Sequence, residues 1–228
     1  MPNTQLMLLN KPIERVTDNG NETSFKYVGV QLDEHLTSKK HVDKVHQQIM
    51  SATHLISGTR LSLTKCTKIM LYKARIKPHL EYAIAIWGNT CKVYINKLAV
   101  SQKKAVRVIN NRPFGAHTGD LFKQDKILKL NQLLQLNLAK LGHSLWHGYA
   151  PQELLTFVQT RYNKTRQKLD FYTPLTQNEK LRSTAPFNIL QAWNNTANYL
   201  RKILSPLVVK NQLKINLMEE RRLQEDAI

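Results

Sequence analysis

The chain has 228 residues, with 34 Lys and Arg against 16 Asp and Glu, a formal charge of +18, and hydrophobic residues at 42%. That apolar content excludes a disordered basic tail, no apolar run approaches the roughly 18 residues of a membrane span, and the first thirty residues fit neither a secretory signal nor an Arg-rich transit peptide. Two cysteines, Cys66 and Cys91, cannot staple a fold of this size, so the expectation is an intracellular protein, nuclear or cytoplasmic, with a polyanionic partner.

The charge is uneven. Residues 1–38 carry three basic and five acidic side chains, residues 39–112 carry fifteen basic against Asp43 and Glu81 alone, and residues 113–228 carry sixteen against nine. The middle segment is therefore the electrostatic centre.

In chain order, Gln5 to Leu9 and Pro12 to Val16 read as strands about a turn at Asn10-Lys11, and Asp18-Asn19-Gly20-Asn21 reads as a loop. Phe25 to Leu32 alternates bulky and polar residues and is predicted as one strand. From Thr37 the period becomes helical. Val42, Val45, Ile49, Ala52 and Ile56 form one apolar face of a helix over His41 to Ile56, with Lys44, Gln47 and Gln48 mostly off it. Ser62 or Thr64 caps a second helix through Ile69, Leu71, Tyr72 and Ile76, which Pro78 interrupts or kinks. A continuation from His79 to Trp87 stops at Gly88. A third helix, Val93 to Asn110, carries Leu98, Gln102, Ala105, Val106 and Ile109 on one stripe, with Lys97, Lys103, Lys104 and Arg107 opposite or beside it.

The last third is also helical. Gly119 to Leu130 reads as a short helix, and Leu133, Leu134, Leu136, Leu138, Leu141 and Leu145 mark a buried one ending near Gly148. Tyr162 to Pro186 mixes polar, basic and proline-bearing segments and reads as a connection. Trp193, Tyr199, Leu200 and Ile203 suggest another helix, Val208 to Leu217 a last one, and a charged tail after Glu219 is expected to fray. The fold class is mainly α: a small N-terminal antiparallel β element over residues 1–36, a basic helical bundle over 37–112, and a C-terminal helical region over 113–228 with a flexible connection near 160–186.

Reactive constellations are sparse. Adjacent acids occur only at Asp33-Glu34, Glu219-Glu220 and Glu225-Asp226, which offers no converging set for two-metal phosphoryl chemistry, and there is no glycine-rich phosphate loop. His143 and His147 stand four apart but lack a third ligand, so they read as packing or surface histidines. Cys66 and Cys91 belong to no metal or redox motif, and Asn-x-Thr at Asn21, Asn163 and Asn194 is incidental in an intracellular protein. Neither metal nor cofactor is expected. Lys and Arg that displace counterions from phosphate give sequence-independent affinity, and Lys97, Lys103, Lys104 and Arg107 on one helix make a compact candidate set. Aromatic residues, at 7%, favour a backbone-tracking groove over a base-stacking platform.

The order Phe25-Lys26-Tyr27-Val28-Gly29-Val30-Gln31-Leu32-Asp33, then Leu36-Thr37 and His41-Val42, resembles the segment just after the catalytic palm in reverse transcriptases of non-LTR retrotransposons, especially the jockey-like group. His79-Leu80-Glu81-Tyr82 with Trp87-Gly88, followed by Leu98 and Gln102 to Arg107, is similar to that family's thumb. Leu121-Phe122-Lys123, Ile127-Leu128, Leu133, Tyr162 to Arg166 and Trp193-Asn194 follow its C-terminal order.

The resemblance implies that Phe25, Lys26, Tyr27, Val28, Gly29 and Val30 are primer-grip-like and that residues 37–112 form a thumb holding template and primer. It also marks departures: a longer loop over Asp18 to Thr23, and an acidic C-terminal position without a counterpart. Family enzymes carry fingers and palm upstream with paired aspartates on a palm hairpin, whereas no Asp-Asp pair occurs in this chain. The expected function is a truncated reverse transcriptase, an RNA-directed DNA polymerase fragment of a transposable element, not an enzyme on its own, that retains non-specific binding of RNA or an RNA–DNA duplex. The alternatives are a helical protein-interaction module, pairing with a palm-bearing chain or with itself, or a non-functional relic.

Overall fold

The computed structural model describes residues 7–8, 11–12, 24–33, 35–59, 61–155, 158, 160–163, 168–173 and 182–225, and the loop expected at Asp18 to Asn21 lies outside them. Short antiparallel strands β1 (Met7–Leu8) and β2 (Lys11–Pro12) pair Met7 with Pro12 and Leu8 with Lys11. Lys11 therefore stands in a strand, not in the turn the sequence suggested. The rest of that strand pair lies outside the described residues.

The predicted single strand over Phe25 to Leu32 is a hairpin. Strands β3 (Ser24–Tyr27) and β4 (Val30–Asp33) pair Tyr27 with Val30 and Ser24 with Asp33 around the two-residue turn Val28-Gly29. Both turn residues have positive φ, 43° and 82°, which matches the right-handed twist of the flanking strands and which glycine adopts without steric cost. A Cβ on Gly29 would stand 3.1 Å from the Tyr82 ring, and the Tyr82 hydroxyl donates to the Val28 carbonyl, so the turn is held by a residue far along the chain. Gly29→Ala is expected to cost about 1 kcal/mol in backbone strain alone. Hydrogen exchange would show faster exchange across Phe25–Asp33 and little change in the helices.

Helix α1 (Lys39–Gly58) buries His41, Val42, Val45, Ile49, Ala52, Thr53 and Ile56, so the predicted apolar face is the one that packs. Thr64, and not Ser62, caps α2 (Lys65–Arg75), its side chain accepting from the Thr67 amide at 3.3 Å. Pro78 sits in the first turn of α3 (Lys77–Glu81), where its missing N–H costs nothing. The expected run from His79 to Trp87 is broken at Tyr82 and Ala83. Ala83 takes φ 50° and starts the short α4 (Ile84–Trp87), which stops at Gly88 as predicted.

Helix α5 (Lys92–Ile109) buries Leu98, Ser101, Gln102, Ala105, Val106 and Ile109 and packs along α1. Helix α6 (Gly119–Gln124) is shorter than expected. Helix α7 (Leu130–Trp146) buries Leu133, Leu136 and Leu138, whereas Leu141 is exposed. Its centre is the hub of the molecule, touching α3, α4 and α5 and the later helices.

After α8 (Gln152–Leu155), the segment read as a connection contains a hairpin of β5 (Thr160–Asn163) and β6 (Lys168–Phe171). Phe171 is buried beside Leu190 and Trp193 of α9 (Ala185–Asn194). The Asn194 side chain both donates to the Phe171 carbonyl and accepts from its amide, at 2.8 and 2.9 Å, which gives that asparagine a structural role. Arg201, at the end of α10 (Asn198–Arg201), is 5% exposed and pairs with Asp170 at 2.7 Å. Helix α11 (Pro206–Glu225) extends through the tail expected to fray and buries Val209 and Leu213 in the main core. The fold is thus mainly α with a small antiparallel β element near the N-terminus, as the periodicities implied.

Candidate nucleic-acid interface

Helices α1 and α5 lie within residues 39–112, the most basic part of the sequence, and α5 carries Lys92, Lys97, Lys103, Lys104 and Arg107 with no acid. With Leu98, Gln102, Ala105, Val106 and Ile109 turned inward, the remaining surface of α5 presents Lys97 and Lys103 as exposed side chains and Lys104 and Arg107 as half-buried ones. The inward stripe is fixed by Gln102, which is 1% exposed. Its Nε2 donates to the Tyr72 hydroxyl at 2.8 Å and the Leu128 carbonyl at 2.9 Å, and its Oε1 accepts from the Leu130 amide at 2.9 Å. One side chain thus locks α5 to α2 and to the start of α7.

A groove of about 410 Å³ runs between α1 and α5, with Met50, Val93, Val100 and Phe114 as its apolar lining and His46, Lys97 and Lys104 as its polar edge. Lys97 pairs with Asp43 of α1 at 2.6 Å, both groups about 40% exposed. A solvated pair of this kind contributes little and exchanges readily for a phosphate. Arg107 is more committed: its Nε donates to the Ala116 carbonyl at 2.8 Å and its guanidinium lies 5.7 Å from the Phe114 ring centre. The four predicted basic residues therefore share one helix but not one environment. Lys97 and Lys104 are brought into the groove, Lys103 lies in solvent, and Arg107 braces the loop after α5.

His46 is one of four histidines in residues 39–112, with His41, His54 and His79, that can add charge to this segment at lower pH. It reaches the groove from α1, with Nδ1 2.7 Å from the Ser101 hydroxyl. Burial lowers its pKa, Lys97 adds to the lowering, Asp43 opposes it and Lys104 reinforces it.

The hairpin β3–β4 docks on the N-terminal end of α1. Val30 is buried, and the Gln31 amide donates to His41 Nδ1 at 3.4 Å, which leaves the proton of the neutral ring on a buried Nε2 without a hydrogen-bond partner. The primer-grip-like residues divide accordingly. Val30 and Gly29 face the protein, whereas Phe25, Lys26, Tyr27 and Val28 are exposed, with the Phe25 and Tyr27 rings 6.5 Å apart along one strand face.

His143 and His147 come together, ring centres 4.4 Å apart, but each Nε2 meets a carbonyl, Ile203 at 2.9 Å and Arg201 at 3.1 Å. They tie α7 to the α10 segment. Cys66 and Cys91 are exposed free thiols. Among the described residues no three His, Cys, Asp or Glu side chains converge as a metal site, and no helix is long and apolar enough to cross a membrane.

Three histidines impose one pH dependence. Burial lowers the pKa of His41, aided by Lys44, and that of His147, aided by His143 against the Arg201 backbone bond, as it does for His46. Groups that bind protons less readily when folded stabilise the fold fully above their unfolded value near 6.5 and lose that contribution as pH falls through the folded values. The Tm is therefore expected to be lower at pH 5.5 than at pH 7.5. His41→Gln should shrink the difference, read by thermal melts at both pH values.

The comparisons with known proteins bear on this geometry. The RNA-directed DNA polymerase from mobile element jockey of Drosophila melanogaster is 30% identical over 120 residues, 51% of this chain and 13% of that protein. Its counterpart from Drosophila funebris is 30% identical over 135 residues, 56% of this chain and 15% of that protein. A probable RNA-directed DNA polymerase from transposon X-element of Drosophila melanogaster is 36% identical over 89 residues, 37% of this chain and 10% of that protein. No family model matches the chain, and no solved structure does. The chain's relatives are thus RNA-directed DNA polymerases of jockey and other transposons, as the order of its motifs implied, and it spans about a tenth to a seventh of their length.

Proposed function

We propose that this chain is the primer-grip, thumb and downstream helical part of a jockey-like reverse transcriptase, and that its own contribution is to hold an RNA–DNA or RNA duplex by the phosphate backbone. In this reading Phe25 to Val30 form the primer-grip hairpin, residues 37–112 the thumb, and residues 113–228 the helical region behind it. The observation that carries the reading is the α1–α5 groove, edged by Lys97, Lys104 and His46 and flanked by Lys103, in the most basic stretch of a polymerase-like sequence. Lysines act there as solvated point charges, which suits contact with any base sequence. Catalysis of polymerisation is assigned elsewhere, because the 228 residues hold no pair of adjacent aspartates.

Fluorescence anisotropy with a labelled heteroduplex at low salt tests this. Saturable binding that differs little between two unrelated sequences is expected, and no anisotropy change would refute it.

One observation favours a second reading. Phe25, Tyr27 and Val28 are 64%, 54% and 69% exposed on a single hairpin, a surface suited to a palm-bearing chain or a second copy. Under that reading light scattering would show a salt-insensitive oligomer and anisotropy would show no duplex binding.

A further inference from the structure

A second cationic cluster is assembled from segments far apart in sequence. Helix α7 packs against both α3 and α11, which brings Lys77, opening α3, and Lys210 of α11 within electrostatic range of Lys140 of α7, and Lys77 and Lys73, in the last turn of α2, within range of Lys214 of α11. Glu81 is the acid that faces them, and it is already bonded to Lys77 at 2.9 Å. Lys140 is half-buried and donates to Asn137 at 3.4 Å. Lys214 also lines a groove of about 470 Å³ together with Lys123, Lys126 and Glu219.

We infer that Lys73, Lys77, Lys140, Lys210 and Lys214 form a second phosphate-backbone site, on which a nucleic-acid strand lies across α11 toward the Lys214 groove. The inference rests on the duplex-binding reading above and extends it to a face that α1 and α5 do not build.

Three features support a linear polyanion over a small anion. The five ammonium groups, with Lys123 and Lys126 of the Lys214 groove, outnumber the carboxylates of Glu81 and Glu219 beside them, so a single phosphate would leave most of the charge unmatched. The cations are spread over four helices, α2, α3, α7 and α11, and along a groove edge, an extended layout that suits a strand better than a point charge. Lys210 and Lys214 are one helical turn apart, an advance of about 6 Å, comparable to two phosphate steps of about 3.4 Å each along the axis of a duplex strand. The cluster is also under electrostatic strain. Burial lowers the pKa of Lys140, with Lys210 and Lys77 adding to it against Glu81, and lowers that of Lys214, with Lys77, Lys73 and Lys210 adding to it. A phosphate chain would relieve that repulsion.

Acetylation footprinting of the intact wild-type chain tests the site. The protein is treated with a lysine-acetylating reagent at low salt, with and without saturating RNA–DNA heteroduplex, and modification is read by mass spectrometry. Lys73, Lys77, Lys140, Lys210 and Lys214 should each react at least threefold more slowly with duplex, while exposed Lys202 reacts equally in both. The protection should vanish at high salt. If duplex binds and protects Lys103 and Lys104 while the five react at their free rates, this inference is overturned and the α1–α5 reading stands. If no duplex binds, both are overturned. Lys140→Gln/Lys210→Gln/Lys214→Gln should make the slope of log K against log salt shallower by about 2.7, at 0.9 per phosphate lost. An unchanged slope in a variant with a wild-type melt would count against the site.

Discussion

Gln102→Leu is expected to destabilise the chain by about 3–5 kcal/mol, although leucine suits the apolar stripe on which position 102 lies. The substitution removes one amide that satisfies three buried groups: the Tyr72 hydroxyl, the Leu128 carbonyl and the Leu130 amide. Each buried polar group left without a partner costs about 1–3 kcal/mol, more than the added apolar volume returns. Leu130 opens α7, so its amide is among those that a helix cannot satisfy internally. Gln102→Glu should restore little, because a carboxylate cannot donate to the Leu128 carbonyl and would bring charge into the core. Urea denaturation measures the loss. At roughly 2–4 °C per kcal/mol for a chain of this size, the melt should fall by about 10 °C. A shift of less than about 1 kcal/mol would mean that the three bonds do not organise the α2–α5–α7 junction.

Lys97→Gln/Lys103→Gln/Lys104→Gln is expected to weaken heteroduplex binding on the order of a hundredfold near 0.1 M salt while leaving the melt close to wild type. None of the three side chains is in the core, and Lys97 gives up only a solvated pair with Asp43. Three lost phosphate contacts should also make the slope of log K against log salt shallower by about 2.7. Asp43→Asn should act in the opposite direction, since it removes the acid that competes with phosphate for Lys97. Arg107 is left out of the variant because its guanidinium is bonded to Ala116, so its loss would disturb the loop as well as the charge. Anisotropy at three salt concentrations separates the two effects. A triple variant that binds as tightly as wild type would move the contact surface off α5.

The helices were legible because their apolar faces are long and regular: Val42 to Ile56 and Leu98 to Ile109 bury the residues that a period near 3.6 selects. Sequence pattern failed where conformation depends on contacts or on single backbone angles. Phe25 to Leu32 alternates cleanly, so it reads as one strand; the signal that divides it is Gly29, whose positive φ the Tyr82 ring and hydroxyl reinforce. Leu141 continues the leucine spacing of α7 yet points to solvent, because seven leucines over this helix exceed the face that the neighbouring helices cover. The connection read over Tyr162 to Pro186 hides the β5–β6 hairpin, whose anchors, Asn194 and Arg201, lie downstream.

The candidate site divides the same way. Charge counting singled out residues 39–112 and the basic residues of α5, and the resemblance named the hairpin that docks on α1. Composition could not show that Arg107 is occupied while Lys97 is exchangeable, or that His46 joins the groove from another helix. The Lys73, Lys77, Lys140, Lys210 and Lys214 cluster is invisible in one dimension, since 141 residues separate its ends and only the packing of α3, α7 and α11 gathers it.

The central claim is that this chain holds nucleic acid through phosphate contacts. The direct test is the heteroduplex binding constant of the wild-type protein as a function of salt. If about six phosphates are neutralised, log K should fall against log salt with a slope near −5, at 0.9 per phosphate. A flat dependence, or no binding at low salt, would contradict the account.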